Sequence, residues 1–157
     1  MTDLEILVSL HNIDVLCVSE TWMSHNRALT SASIHLPGFI AASRHDRPDR
    51  RGGGVLIYVR DNLPAVDLCQ PSSVECAGVQ LTLSKHRKLI IVVAYHPPDS
   101  PMSDFLNGFD LFLSSTGCLS KHPLCLVGDF NCKNNFWWMG QADCPDANLL
   151  ECFATEN

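Results

Sequence analysis

The chain has 157 residues and a formal net charge of −6 at pH 7, and 46% of its residues are hydrophobic. This length is typical of one domain with a substantial core, and the composition excludes a disordered chain. The acidic balance argues against nucleic-acid binding through bulk charge, although a nuclease can gather a metal on acidic residues while arginines contact phosphates. No apolar run reaches the roughly 18 residues of a membrane span, so we expect no membrane partner.

Cysteine usage indicates a reducing compartment. The eight cysteines include no CxxC pair, and the N-terminal residues lack the basic segment and cleavage site of a signal peptide. Cys17 and Cys125 lie inside apolar, strand-like runs, where a thiol behaves as a small hydrophobic group. We therefore expect reduced, mostly buried thiols in an intracellular protein.

The first elements are a helix over residues 4–10, capped by Asp3, and a strand over residues 13–18. The strand runs into Ser19-Glu20-Thr21-Trp22. The Glu20 carboxylate therefore stands at a strand's carboxyl end, where the sites of α/β proteins gather. The alternative is that Glu20 is a solvated loop carboxylate.

An arginine-rich turn follows a strand over residues 39–43. Residues 44–51 include four arginines and lead through Gly52-Gly53-Gly54 into a strand over residues 55–59. These glycines do not form a P-loop, because a strand rather than a helix comes next. The turn is either a solvated hairpin tip or a loop that contacts phosphate.

Three more strand patterns occupy the middle of the chain. Residues 65–69 form a short strand, and residues 79–84 alternate between apolar and polar, as in a half-exposed strand. Residues 89–95 are wholly apolar, which suits a sheet centre. This strand ends in Tyr95-His96-Pro97-Pro98, and so brings polar groups to another strand end, although His96 is also compatible with an ordinary loop residue.

Two helices are expected in the last third. The first is capped by Ser103, ends at Gly117 and carries a stripe of phenylalanines at helical spacing that belongs to the core: Phe105, Phe109 and Phe112. The second begins at Pro145. Between these two helices, the apolar residues 136–139 are expected to form a loop that covers the sheet edge or the site.

The segment Leu124-Cys125-Leu126-Val127-Gly128-Asp129-Phe130-Asn131 carries the clearest chemical signal. A short apolar run that ends in a turn signal predicts a buried strand. Asp129 and Asn131 are two residues apart, so a strand-like backbone puts both side chains on the same side. The carboxylate can take a proton or hold a metal, and the carboxamide can donate to a phosphate oxygen. Phosphodiester hydrolysis needs both groups close together.

These strand ends, in this order, resemble the endonuclease/exonuclease/phosphatase family. The likeness is strongest to the apurinic-like endonuclease domain of LINE-type non-LTR retrotransposons. It rests on the strand that ends at Glu20, the Gly-Gly-Gly-Val segment, Val93-Ala94-Tyr95-His96-Pro97-Pro98, and Gly128-Asp129-Phe130-Asn131. Residues 1–157 are identified as a partial domain, about two thirds of the family's usual length.

The resemblance implies an α/β fold, a four-layer α/β/β/α sandwich (DNase I-like) that is truncated at both ends. It implies hydrolysis with Mg²⁺ or Mn²⁺, held by Glu20 and Asp129. Asp129 would also orient or deprotonate the attacking water, and Asn131 would position that water and the phosphate. Tyr95 would contact the phosphate. His96 is a further catalytic candidate, since DNase-like members have a histidine nearby.

Three functions follow from the resemblance. The first is a DNA endonuclease that contacts the phosphate backbone and nicks target DNA. It would be part of a longer polyprotein with reverse transcriptase, and it would act in the nucleus if the retroelement is active. The second is a catalytically inactive remnant, because the family's early strand-terminal asparagine and late Ser-Asp-His motif have no counterpart in this sequence. The third is a phosphatase of the same fold, against which the Tyr-His-Pro-Pro and triple-glycine segments argue.

Overall fold

The computed structural model describes residues 3–23, 34–47, 52–68, 74–115, 122–132 and 144–156. Among the helices in these ranges, none has the length and apolar composition needed to cross a membrane. The elements, in chain order, are α1 (Asp3–Leu10), β1 (Val15–Ser19), β2 (Phe39–His45), β3 (Val55–Arg60), β4 (Ala65–Leu68), β5 (Glu75–Ser84), β6 (Arg87–Tyr95), α2 (Met102–Ser115), β7 (Leu124–Asp129) and α3 (Pro145–Glu156).

The strands form two sheets. The first has the order β1-β3-β2 and is antiparallel throughout. The second has the order β4-β5-β6-β7, in which β6 and β7 are parallel and the other pairs antiparallel. The parallel pair needs a crossover, which α2 supplies.

The first sheet is buried on both faces, as the alternation along β3 shows. Val55, Ile57 and Val59 pack against the second sheet. Leu56 and Tyr58, in the opposite phase, pack with Val8 of α1. Helix α1 therefore covers the outer face of this sheet, because successive strand residues point to opposite faces.

The second sheet divides its side chains in the same way. Strand β6 turns Ile91, Val93 and Tyr95 toward the first sheet. Its alternate residues face the outer helices, in a core that includes Ile90, Val92, Ala94, Phe105, Phe109, Phe112 and Leu150. The order of layers is thus α1, first sheet, second sheet, and then α2 with α3. The expected α/β/β/α sandwich is confirmed.

The strand expected over residues 124–127 is present, but the expectation that it is buried is wrong. Strand β7 lies at the end of its sheet with β6 as its neighbour, and Cys125, Gly128 and Asp129 are exposed. The expectation of mostly buried thiols fails with it. Of the cysteines in the described ranges, Cys76 is buried and the others are half-buried or exposed.

Several element boundaries differ from the expected ones, among them those of β2, β5 and α2. Strand β2 continues to His45, because its pairing with β3 extends to the Val55 position. Strand β5 begins at Glu75, four residues before the alternation that predicted it. Helix α2 begins at Met102, so Ser103 lies in its first turn. The expected helix end at Gly117 and the apolar loop over residues 136–139 lie outside the described residues.

Candidate active site

Carboxylates and a tyrosine line up across three strands at one end of the sandwich. Glu75 of β5 pairs with Tyr95 of β6, and Tyr95 pairs with Asp129 of β7. Tyr95 and Val127 both belong to the core between the sheets, so Asp129, two residues after Val127, shares that face. Glu20 directly follows β1 of the other sheet. The two sheets therefore bring their polar ends together.

Tyr95 and Glu20 join the sheets through a hydrogen bond from the phenol to the carboxylate. This bond is the largest cause that lowers the pKa of Glu20, and the Gly53 amide and the charge of Arg47 also lower it, against the effect of burial. Burial, followed by the neighbouring Glu20, raises the pKa of Tyr95 to about 12. At neutral pH the phenol is thus a donor and the carboxylate is ionised.

The segment that carries Glu20 has an unusual backbone. Glu20 and Trp22 both have φ of 56°, a left-handed conformation that non-glycine residues seldom adopt. Two main-chain hydrogen bonds hold it: the Trp22 nitrogen lies 2.9 Å from the Gly53 oxygen, and the Thr21 nitrogen 3.2 Å from the Gly54 oxygen. Such conformations persist where the surroundings determine them, and they cluster at functional sites.

Asp129 and Asn131 form a turn after β7. The Asn131 amide nitrogen lies 3.0 Å from Oδ1 of Asp129, and its Nδ2 donates to the His96 carbonyl oxygen over 2.7 Å. Asn131 has φ of 46°, so the backbone is not strand-like at this residue. The alternation that predicted Asn131 and Asp129 on the same side of a strand therefore does not apply here. Both side chains are exposed.

His96 lies beneath this turn, with 3% of its surface exposed. Its Nδ1 is 2.8 Å from the Phe130 carbonyl oxygen, its Nε2 is 3.0 Å from the Ser100 carbonyl oxygen, and its ring centroid is 5.0 Å from that of Phe105. Its main-chain nitrogen donates to the Asp129 carbonyl oxygen over 2.9 Å. Both ring nitrogens are thus directed at the main chain, in a position that supports the Asp129 turn from below.

Two further residues belong to the site: Glu75, which was not singled out from the sequence, and Arg47, which lies in the arginine-rich turn. The Arg47 Nε lies 2.7 Å from Glu75 Oε1, and the Gly54 nitrogen 2.8 Å from Glu75 Oε2. The guanidinium carbon is also 5.7 Å from the centre of the Tyr95 ring.

Arg47 therefore matches neither expectation for the arginine-rich turn, because its side chain is 12% exposed and bonded to Glu75. Arg44 is exposed and lies 3.3 Å from Asp46, whereas Arg50 and Arg51 fall outside the described residues. A signal for Glu75 was present in the sequence. It is in phase with Ala77, Val79 and Leu81, the inward-facing set of β5.

The carboxylates determine how the site could hold a metal. Within the described ranges, no group of three or more histidines, cysteines, aspartates or glutamates is placed to bind one ion. Glu20 and Asp129 are exposed carboxylates, whereas both oxygens of Glu75 are engaged by Arg47 and Gly54. Mg²⁺ is commonly held by one or two carboxylates together with waters and substrate phosphates, so the donor chemistry fits this ion.

A cleft separates the edges of the two sheets beside these residues. It has a volume of about 460 Å³. Ser19 and Gly128, which immediately precede Glu20 and Asp129, lie in its lining, and the remaining walls are mostly apolar: Val15, Cys17, Ile91, Val93, Cys125 and Val127.

Comparison with known proteins agrees with this geometry. The model of the endonuclease/exonuclease/phosphatase family matches residues 1–150. The chain belongs to this family. The resemblance expected from the strand ends is thereby confirmed. Over 149 residues, 95% of this chain, it is 26% identical to the RNA-directed DNA polymerase from mobile element jockey of Drosophila melanogaster, of which it spans 15%.

Two solved structures show that the fold of this family member is shared. The endonuclease domain of TRAS1, a telomere-specific non-LTR retrotransposon, superposes with a TM-score of 0.70 at 17% identity, over 98% of this chain and 64% of that one. The AP endonuclease LMAP from Leishmania major gives a TM-score of 0.68 at 16% identity, over 97% of this chain and 59% of that one. The chain thus spans less than two thirds of each.

Proposed function

We propose that this chain is a metal-dependent DNA endonuclease domain that hydrolyses phosphodiesters of the DNA backbone. The observation that carries the proposal is the Glu20–Tyr95 hydrogen bond, which joins the two sheets beside Asp129. Membership of a family of nucleases and phosphatases supports phosphodiester hydrolysis as the general chemistry. The likeness to the jockey and TRAS1 proteins supports DNA as the substrate.

Asp129, Tyr95 and Asn131 divide the work of hydrolysis among them. Asp129 accepts a proton from the attacking water, which a carboxylate within hydrogen-bond reach can do. Tyr95 contacts the phosphate by turning its one hydroxyl hydrogen from Glu20 to a phosphoryl oxygen, as a hydrogen bond, when negative charge builds on that oxygen. Asn131 holds the Asp129 turn through its bond to the His96 carbonyl and presents the rest of its carboxamide to the phosphate. We propose a positioning role for the buried His96, which supports this turn.

A divalent cation, Mg²⁺ or Mn²⁺, would be held by Glu20 with Asp129, and when bound it would neutralise charge on the phosphate and lower the pKa of water. Glu20 suits this role because its lowered pKa keeps it ionised. Its Oε2 accepts from the Gly53 nitrogen over 2.8 Å, which fixes the orientation of the carboxylate.

The jockey likeness also supports a larger context. That relative is a polymerase of which this chain matches 15%. We propose that the endonuclease belongs to a polyprotein with reverse transcriptase and nicks target DNA to begin reverse transcription. Because such a reaction would take place on chromosomal DNA, we propose that the active protein acts in the nucleus.

Nicking of supercoiled plasmid by the purified chain tests the proposal. We expect nicking that requires Mg²⁺ or Mn²⁺ and falls by at least about 100-fold in Asp129→Ala and in Glu20→Gln, since each removes a group that acts on the reacting atoms. Asp110→Ala is the control, because it removes an exposed carboxylate from the outer helix α2.

Two results would contradict the proposal. If the folded protein fails to nick at every metal concentration, the chain is an inactive remnant. If it instead releases phosphate from a small phosphomonoester and leaves DNA intact, the fold serves a phosphatase.

A further inference from the structure

A turn of two glycines connects two carboxylates at the candidate site. The Gly53 nitrogen donates to Glu20 Oε2, and the next amide, the Gly54 nitrogen, donates to Glu75 Oε2, each over 2.8 Å. Their φ angles of 69° and 85° are left-handed, so consecutive amides point toward different partners. One carboxylate belongs to the strand end of the first sheet and the other to β5 of the second.

The Arg47–Glu75 pair lies directly against this turn. A Cβ on Gly53 would overlap Glu75 Oε2 and would lie 2.6 Å from the Arg47 guanidinium carbon. A Cβ on Gly54 would lie 2.5 Å from Thr21 Oγ1 on the opposite side. The turn is therefore enclosed between the ion pair and the segment that carries Glu20.

The pair is built as a rigid support rather than as a substrate contact. Each side chain is 12% exposed, and both Nε and Nη2 of Arg47 donate to the same Glu75 oxygen. A planar guanidinium bonded in this way holds a carboxylate with less freedom than a lysine could. Arg47 also lies over the Tyr95 ring and adds positive charge near Glu20.

We propose that Arg47 and Glu75 are positioning residues. Their ion pair fixes the Gly53–Gly54 turn, so that the Gly53 amide holds one oxygen of Glu20 and turns the other toward the substrate. This inference rests on the proposed function for its effect on activity, but not for its effect on the turn. It assigns a structural role to Arg47 and a role to Glu75, a carboxylate that has no free oxygen for a metal.

Amide and carboxyl NMR spectra of the labelled 157-residue chain test the coupling without metal or substrate. Glu75→Gln is expected to shift the Gly54 amide, which loses its charged partner. It is also expected to shift the Gly53 amide and the Glu20 carboxyl carbon, which are hydrogen-bonded to each other rather than to Glu75. Arg47→Lys keeps the charge but loses the planar fork, and is expected to shift the same three signals less. If Glu75→Gln does not fold, Arg47→Lys decides the outcome.

Asp14→Asn is the matched control. Asp14 also binds an arginine, with Oδ1 at 2.9 Å from Arg60 Nε, but at the opposite end of β3. This variant is expected to leave the Gly53, Gly54 and Glu20 signals unchanged. If Glu75→Gln shifts Gly54 alone, or if Asp14→Asn causes the same shifts, the coupling does not exist and the proposal is overturned.

Nicking kinetics supply the second readout. We expect Glu75→Gln to lower kcat by about 10-fold or more with KM for plasmid changed less than about 2-fold, because a misplaced catalytic group slows the chemistry. Arg47→Met with Glu75→Gln should be no slower than Glu75→Gln alone, as for residues that act as one unit. If the two substitutions instead lower kcat by factors that multiply in the double variant, the proposal is overturned. Absence of nicking by the unmodified chain would instead refute the proposed function, and the spectra would still decide the positioning role.

Discussion

At the scale of single residues, the candidate site is organised around the Glu20 carboxylate, which neutral hydrogen-bond donors hold in place. Glu20 is exposed, yet it receives hydrogen bonds from the Tyr95 phenol and the Gly53 amide. Hydrogen bonds to the charged form of a carboxyl group favour that form. Glu20 is consequently held in one orientation and one protonation state at the end of a flexible side chain.

Removal of the Tyr95 hydroxyl should release Glu20. We expect the pKa of Glu20 to rise in Tyr95→Phe toward its ordinary value of 4.5, because the largest cause of its lowering is lost. A lowered carboxyl pKa contributes stability that is present above the unfolded pKa and is lost as the pH falls through the folded pKa. The acid-dependent loss of unfolding free energy should therefore be smaller in this variant.

A ¹³C titration of the Glu20 carboxyl carbon and urea unfolding at a series of acidic pH values measure the two effects. Tyr58→Phe is the control, since its hydroxyl donates to the Ile34 carbonyl oxygen over 2.9 Å, on the side of the first sheet that faces α1. An unchanged Glu20 pKa in Tyr95→Phe would show that the phenol does not determine its protonation.

At the scale of elements, strand β7 depends on a close approach between two backbones. Gly128 pairs with Ala94 of β6 and has φ of 151°. A Cβ there would overlap the Ala94 carbonyl oxygen and lie 2.9 Å from the carbonyl carbon, so the two strands could not stay at their observed spacing. Because Asp129 is the next residue, this glycine also sets the height of the carboxylate above the sheet.

Gly128→Ala should therefore lower the free energy of unfolding by more than about 3 kcal/mol, as overlap with main-chain atoms leaves no flexible side chain to move. Gly38→Ala is the control. Gly38 has φ of 78°, and no atom lies within 4 Å of the position a Cβ would take. Gly38→Ala should therefore lower the free energy of unfolding by only about 1–2 kcal/mol, the cost of an alanine in a left-handed conformation. Urea unfolding of both variants measures the difference. Equal losses of unfolding free energy would mean that glycine is needed at position 128 only for its positive φ, and not for the close approach to Ala94.

Helix α2 shows how a side-chain stripe positions strands without touching the site. Phe109 and Phe112 are fully buried, with ring centroids 6.1 Å apart, and Phe105 stacks on Phe109 at 5.9 Å. Phe105 also contacts the His96 ring, which lies beneath the Asp129 turn, and Phe130, which is part of that turn. The helical periodicity that predicted core packing thus also explains why the ends of β6 and β7 meet in one arrangement.

At the scale of the whole molecule, the two sheets differ in how well their edges are covered. In the part of the chain that the structure describes, β1 is an edge strand of the first sheet and β7 is an edge strand of the second. The cleft lies between these two strands. Cys125 lies exposed on β7, and Cys17 lies half-buried on β1. Cys76, in the middle of the second sheet, is completely buried.

Thiol reactivity should follow this order. Burial raises the pKa of Cys76 to about 12, and burial together with the nearby Cys125 raises that of Cys17 to about 11. Because the thiolate is the reactive form, we expect iodoacetamide to label Cys125 at least about tenfold faster than Cys17, and Cys76 only after unfolding. Peptide mapping by mass spectrometry measures the three rates, with the urea-unfolded chain as the reference. Protection of Cys125 equal to that of Cys76 would show that another strand or a second copy covers β7.

The local periodicity of the sequence was enough to predict the elements and the order of their polar ends. Alternation and apolar runs predicted the strands that became β1, β3 and β6, and the phenylalanine stripe predicted α2, because these patterns are properties of neighbouring residues. With the resemblance, they also predicted the α/β/β/α sandwich. The roles of Glu20, Asp129, Asn131 and Tyr95 stay predictions that the nicking experiment tests.

Tertiary structure decided what depends on contacts between distant segments. An apolar run reads the same at the centre and at the edge of a sheet, so only the strand order shows that β7 is exposed on one side. The Arg47–Glu75 pair joins residues 28 positions apart, and the burial of His96 follows from a turn 34 residues away. No local pattern encodes such pairings, because they join strand ends that meet only in the folded chain.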